Sequence, residues 1–209
     1  ASLDSYGMGV EMDGGKPGWN DAMNGIPGLF GSGMAETFEL KRVISFIIKT
    51  ITKEETLVLP VEVNEFLEGV VSSLSQAKVE GWSDFMYWDT VATIKEDFRK
   101  KVRLTLNGAT LERNTADLLN YFQMFLQKLD SGIKKACALG NGIVPTFFTY
   151  RAKEFESVVN EEGKPVISHY GLPKAKVKAF EVDPLPAFLE GPARMLGIVK
   201  DYEEAKRLH

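Results

Sequence analysis

Residues 110–139 read TLERNTADLLNYFQMFLQKLDSGIKKACAL, and their apolar residues recur at helical spacing. Leu118, Phe122, Phe125, Leu129, Ile133 and Ala136 fall three or four apart, which places them on one face of a helix. Gly140 ends the pattern. A stripe this wide has to be buried against another element. On the N-terminal side the same period appears three more times. A helix predicted from residue 35 takes Ser32 as its N-cap and Glu36 in its first turn, and carries Leu40, Val43, Ile44, Ile47, Ile48 and Ile51. A second opens at Pro60, a favoured first-turn residue, with Val63, Phe66, Leu67, Val70, Val71 and Leu74 on one face. A third, over 83–105, presents Tyr87, Val91, Ile94 and Phe98 before Asn107 and Gly108 stop it. Four long amphipathic helices on short connections predict helix-on-helix layers, a mainly α fold.

Beyond Gly140 the texture changes. Residues 143–150 and 166–170 are β-branched and aromatic, 176–182 alternate, and Gly163-Lys164-Pro165 marks a turn between the first two. These predict a small β excursion of two or three strands within 143–182. Pro184-Leu185-Pro186 then leads to an apolar stretch, 188–199, predicted as a helix and followed by a further one at 201–209. The chain divides into a glycine-rich loop (1–33), helical hairpins (34–140), the β excursion (141–183) and C-terminal helices (184–209). It begins Ala1-Ser2-Leu3 and ends inside a helical pattern, so it is expected to be a piece of something longer.

Composition narrows the function. Of 209 residues, 44% are hydrophobic and 26% charged, which is ordinary globular usage and excludes a disordered chain. The net charge is −4, with Lys and Arg interspersed among Asp and Glu, so there is no basic field for nucleic acid. Cys137 is the single cysteine, and His169 and His209 are the only histidines, which excludes a disulfide framework and a Cys- or His-based metal centre. No apolar run approaches the ~20 residues of a membrane span. A cytoplasmic globular protein is expected.

Residues 13–25, DGGKPGWNDAMNG, carry the chemistry. Seven glycines fall between Gly14 and Gly33, too many for a helix. Gly15-Lys16 is followed by Pro17 rather than Ser or Thr, so this is not a phosphate-cradling P-loop. The stretch sets an indole, carboxamides and a carboxylate side by side. The Trp19 indole offers a flat apolar face that suits stacking on a sugar ring. Asn20 and Asn24 can donate to and accept from hydroxyls. A carboxyl shielded from water beside an indole has its pKa pushed upward, which is how a carboxylic acid serves as general acid, and Asp21 is the candidate for that role. The alternative is a tight loop buried by Trp19, with Asp21 capping the next turn.

Trp-Asn-Asp-Ala-Met-Asn on a glycine-rich loop resembles the catalytic loop of the cellobiose phosphorylase family and related inverting β-glucan phosphorylases. The longer stretch 15–38, GKPGWNDAMNGIPGLFGSGMAETF, is similar to its version in the large cellobiose phosphorylase-like members. The stretch 188–196, FLEGPARML, also resembles that group. The resemblance implies part of an (α/α)6-barrel and inverting phosphorolysis of a β-glucoside or β-gluco-oligosaccharide to α-glucose 1-phosphate. It implies Asp21 as general acid and Trp19 as a residue packing on the sugar, with Asn20 beside it. Glu36 stands where relatives have a Glu-Ser pair, and reads equally as a carboxylate answering the helix dipole. Inorganic phosphate is the co-substrate, and no metal or organic cofactor is implied. Phosphate is already an anionic nucleophile, so one acid suffices where inverting hydrolysis needs a second carboxylate.

Two rivals remain. An inverting glycoside hydrolase would need a base, with Asp13 or Glu11 nearest. A non-catalytic helical module would grip a sugar or a protein partner. Residues 81–89, GWSDFMYWD, form an aromatic cluster that either flanks a sugar subsite or packs in the core. His169 reads as structural and Cys137 as a small buried hydrophobe. With about half of the twelve barrel helices visible, the stripes of the second and fourth helices would lack partners. The chain is therefore expected to form a homo-oligomer or to aggregate. A monodisperse monomer in light scattering would refute this.

Overall fold

The computed structural model describes residues 1–12, 31–185 and 188–208. Two short strands, β1 (Val10–Glu11) and β2 (Gly31–Gly33), precede helix α1 (Met34–Ile51). Strand β3 (Thr56–Pro60), helices α2 (Val61–Glu80) and α3 (Asp84–Val102), strand β4 (Thr110–Asn114) and helix α4 (Thr115–Leu139) follow. Two long strands, β5 (Phe147–Ser157) and β6 (Ala175–Pro184), and two short helices, α5 (Glu190–Leu196) and α6 (Tyr202–Leu208), complete the chain.

The mainly α, (α/α)6-barrel expectation is overturned. The described residues hold a mixed α/β fold with a four-stranded antiparallel sheet, in the order β1-β2-β5-β6, and a two-stranded ribbon, β3-β4. Their six helices include only four long ones, so they do not make that barrel. Strands β1 and β2 share one sheet with the distant β5 and β6: Gly31, Ser32 and Gly33 of β2 pair with Thr149, Phe148 and Phe147 of β5.

The local corrections have physical reasons. Thr110–Asn114 is a strand rather than the start of α4, pairing with Thr56–Pro60 from Thr110↔Pro60 to Asn114↔Thr56. Its alternation, with Leu111 and Arg113 half-buried between exposed neighbours, has period two. Asn114 then caps α4, its side chain accepting from the Ala116 N–H at 2.8 Å. Ser32 is not a helix cap. It lies in β2, and Gly33 precedes the helix without any side-chain cap. Ser83 does cap α3, accepting from the Met86 N–H at 3.1 Å. The expected strand at 166–170 lies in the connection between β5 and β6. His169 is exposed there, its ring edge-on to Tyr170, so it takes no part in the core.

Helices α1 and α4 pack against the sheet at the buried start of β5, whose later residues are exposed. Met34 and Phe38 of α1, Ile133 and Ala136 of α4, Phe148 of β5 and Met195 of α5 form the main core cluster with Met8 and Val144. Cys137 packs half-buried against it. Leu3, Ile44 and Leu129 continue the seam, with Phe122 and Phe125 alongside. Each large apolar side chain buried here contributes about 1.5–3 kcal/mol against exposure. Helices α2 and α3 form a hairpin in which Phe66 and Phe98 stack with centroids 4.8 Å apart.

One carboxylate organises the sheet's edge. Asp4 is 1% exposed and accepts from the N–H groups of Tyr6, Met8 and Gly9 at 2.9–3.0 Å and from the Ser32 hydroxyl at 2.7 Å. Gly7 takes φ +70° at the apex of this turn, a conformation that favours glycine. The turn sits directly on α4, where a Cβ at Gly132 would overlap the Gly7 carbonyl. Asp4→Ala leaves those donors buried without an acceptor. It should cost about 3 kcal/mol in urea unfolding, whereas loss of under about 1 kcal/mol would show the network to be dispensable.

Candidate functional site

Strands β1 and β2 are the two ends of the stretch that the sequence marks as functional. Val10 pairs with Gly33 and Glu11 with Ser32, and the Met12 N–H donates to the Gly31 carbonyl at 3.1 Å. Met12 is buried with Phe147 of β5, which anchors the outgoing end of the stretch in the sheet. The residues that flank 13–30 on either side are therefore hydrogen-bonded neighbours. Trp19, Asn20, Asp21 and Asn24, together with Asp13, lie outside the described residues.

Glu36 is described. It stands in the first turn of α1, where its carboxylate accepts from its own backbone N–H. Although the residue reaches solvent, the protein crowded around it desolvates the carboxyl and raises its pKa above the usual range. The backbone N–H opposes this, the Glu190 carboxylate adds to it and the Arg194 guanidinium offsets part of it. The next residue, Thr37, is buried and donates to the Met8 carbonyl at 3.0 Å and the Gly33 carbonyl at 3.2 Å. Thr37 therefore fastens α1 to the β1 turn and is not available to a ligand.

Residues 31–38 and 188–196 meet in space. Thr146, fully buried just before β5, accepts from the Gly191 N–H at 3.0 Å and donates to the Phe188 carbonyl at 2.5 Å. Its own carbonyl accepts from the Met34 N–H at 2.8 Å. Arg194 reaches Glu39 of α1 at 3.1 Å, and Met195 shares the core with Met34 and Phe38. Residues 31–38 and 188–196 are therefore joined by the hydrogen bonds of Thr146 and by the core contact of Met195 with Met34 and Phe38.

Glu11 has both carboxylate oxygens engaged. Oε1 accepts from the Trp88 indole N–H at 2.6 Å, and Oε2 pairs with Lys95 at 3.3 Å. Trp88 belongs to the aromatic cluster 81–89. Only Tyr87 of that cluster is buried in the core, while Phe85 is exposed and Trp88 half-buried. The core reading of the cluster therefore holds for Tyr87 alone. Phe85 and Trp88 line a cleft with Tyr6, Tyr150 and Phe180. Sequence reasoning missed Asp4, Thr146 and the two tyrosines. The Asp4-Ser5-Tyr6-Gly7 turn was the available signal, since an aspartate closing on backbone N–H groups before a glycine is a common turn. No local signal marks Thr146, because its partners come from residues distant in sequence.

Among the described residues no helix is long and apolar enough to cross a membrane. Comparison with protein-family models finds no match, and neither does comparison with curated proteins.

The raised Glu36 carboxyl has a consequence for stability. The folded chain keeps that proton at pH values where the unfolded chain has already released it. Stability therefore falls as pH rises from the ordinary carboxylate range through the raised pKa. Glu36→Gln should remove this decline, so that its unfolding midpoint varies less than the parent's between about pH 4 and about pH 7. Equal slopes for the two proteins would show that Glu36 titrates normally.

Proposed function

We propose that the chain carries the acid loop of an inverting glycoside phosphorylase, a hexosyltransferase acting on a β-glucoside or β-gluco-oligosaccharide. The observation that supports this is the junction at Thr146. Residues 31–38 and 188–196, parts of two stretches that resemble one enzyme group and lie far apart in sequence, are packed against each other beside the strand that follows residue 30. The reading rests on these residues and not on a barrel.

In the reaction, protonated Asp21 gives its proton to the glycosidic oxygen as the C1–O bond breaks. A phosphate oxygen attacks C1 from the opposite face and forms the new bond. The products are α-glucose 1-phosphate and an acceptor shortened by one unit, with Asp21 left as carboxylate. Run backwards, the same carboxylate takes the proton from the acceptor hydroxyl. Trp19 packs on the sugar, Asn20 and Asn24 hydrogen-bond its hydroxyls, and Glu36 stands at the helix start that follows. Inorganic phosphate is the only co-substrate the proposal needs. The charged product suits a cytoplasmic setting, because a sugar phosphate does not cross a bilayer unaided.

The hydrolase alternative requires a carboxylate free to activate water. Glu11 is held by Trp88 and Lys95, which favours phosphorolysis over hydrolysis through that residue. Phosphate release from α-glucose 1-phosphate, measured with glucose, cellobiose and β-glucan oligomers as acceptors, tests the proposal. Asp21→Asn should lower the rate by about 100-fold or more, the usual range for removing a general acid. Phosphate-independent release of reducing sugar from the same oligomers would replace it with a hydrolase. Binding of those oligomers with no turnover in either direction would replace it with a binding module.

A further inference from the structure

The cleft beside the β1–β2 pair has the construction of a ligand site. It has a volume of about 540 Å³, which lies in the usual range for small-molecule pockets. Its aromatic lining comes in pairs from two directions. Tyr6 and Tyr150, from the Asp4 turn and from β5, lie with ring centroids 5.5 Å apart. Phe85 and Trp88, from the first turns of α3, lie with centroids 5.4 Å apart. Phe180 of β6 completes the lining.

These rings are fixed from behind. The Trp88 N–H donates to Glu11, the Tyr150 hydroxyl donates to Ser32 Oγ at 3.3 Å, and the Tyr6 hydroxyl donates to the Phe180 carbonyl at 2.8 Å. Asp84, next to Phe85, is bonded to Lys128 and Lys135 of α4, which holds the start of α3 in place. Burial alone would raise the Asp84 carboxyl, but the hydrogen bonds from the two lysines outweigh it and keep it below the usual range. Each aromatic pair has one member bonded to a strand that borders residues 13–30, Trp88 to β1 and Tyr150 to β2.

The lining also restricts what can enter. Lys178 at the mouth is paired with Glu156 at 3.0 Å, so the cleft presents no free charge for an anion. The pair carries no net charge, so it does not draw a cation either. A neutral, thin ligand with apolar faces and a polar edge fits both limits, and a pyranose ring has that form, with axial C–H groups on its faces and hydroxyls around its rim. We propose that this cleft is a saccharide subsite, holding glucosyl units of the β-gluco-oligosaccharide between the Tyr6–Tyr150 and Phe85–Trp88 pairs. The assignment of glucose rests on the reading of residues 13–30 as a sugar-active stretch. The neutral, ring-stacking character of the site does not.

The test is a titration of the 209-residue chain with cello-, laminari- and sophoro-oligosaccharides of roughly two to five units, read by calorimetry and tryptophan fluorescence, with adenosine as a flat heteroaromatic control. Phe85 is 59% exposed, so Phe85→Ala removes one ring with little risk to folding. Phe85→Ala should weaken oligosaccharide binding by about tenfold, and Phe85→Trp should restore it. Binding by Phe85→Ala within about twofold of the parent overturns the proposal. So does tighter binding of adenosine than of any oligosaccharide, or no saccharide binding by the parent chain. The two readings fail separately. Turnover with an unchanged KM in Phe85→Ala removes the cleft and keeps Asp21 as acid. Binding that depends on Phe85, without phosphate-dependent turnover, keeps the cleft and removes phosphorolysis.

Discussion

The buried Asp4 carboxylate is the interaction on which the rest of the site's framework depends. A charge out of water is costly unless it is hydrogen-bonded, and Asp4 meets that condition with three backbone N–H groups and one hydroxyl. Three of those donors belong to its own turn, and the fourth, Ser32, belongs to the strand that returns from residues 13–30. Satisfying one charge therefore closes the turn and holds β2 beside β1. Ser32 also accepts from Tyr150, so the same network reaches β5. Neither β1 nor β2 is long enough to persist alone. Their pairing is stable because the carboxylate, the buried Met12 and β5 hold it together.

The helices pack on one another and also brace this edge. Helix α4 touches the turn at Gly132, where the absence of a side chain lets helix and turn backbones approach closely. Helix α1 begins at β2 and is tied back to the turn through Thr37. The aromatic cluster at the start of α3 is linked to β1 by the Trp88–Glu11 bond and to α4 by the Asp84 lysines. The elements bordering residues 13–30 are thus braced against one another.

The long helices were legible because each repeats its apolar residues over several turns. The lower limit of α4 was not, since Leu111 stands seven residues before Leu118 and so also fits the helical stripe, and only pairing with β3 decides between helix and strand. Ser32 illustrates a different limit. A serine before a helix is a cap by local rules, yet a buried carboxylate 28 residues earlier in the chain competes for its hydroxyl and wins. The candidate site divides in the same way. Trp19, Asn20, Asp21 and Asn24 stand out through residue type and spacing, and Glu36 through its place at a helix start. Tyr6 and Tyr150 carry no such mark, because what makes them a pair is a turn and a strand brought together from opposite ends of the chain.

By itself the sequence determined four long amphipathic helices, the β character of the region after Gly140 and a glycine-rich stretch carrying an indole, carboxamides and a carboxylate. These are properties of neighbouring residues, and near-neighbour spacing is enough to express them. The tertiary structure alone decided that the glycine-rich stretch is bordered by strands of a mixed α/β fold and not by barrel helices. It also decided that residues 31–38 and 188–196 meet at Thr146, and that two aromatic pairs form one cleft. Those outcomes depend on where buried polar groups find partners. A hydrogen bond across more than a hundred residues leaves no periodic trace in the chain that makes it.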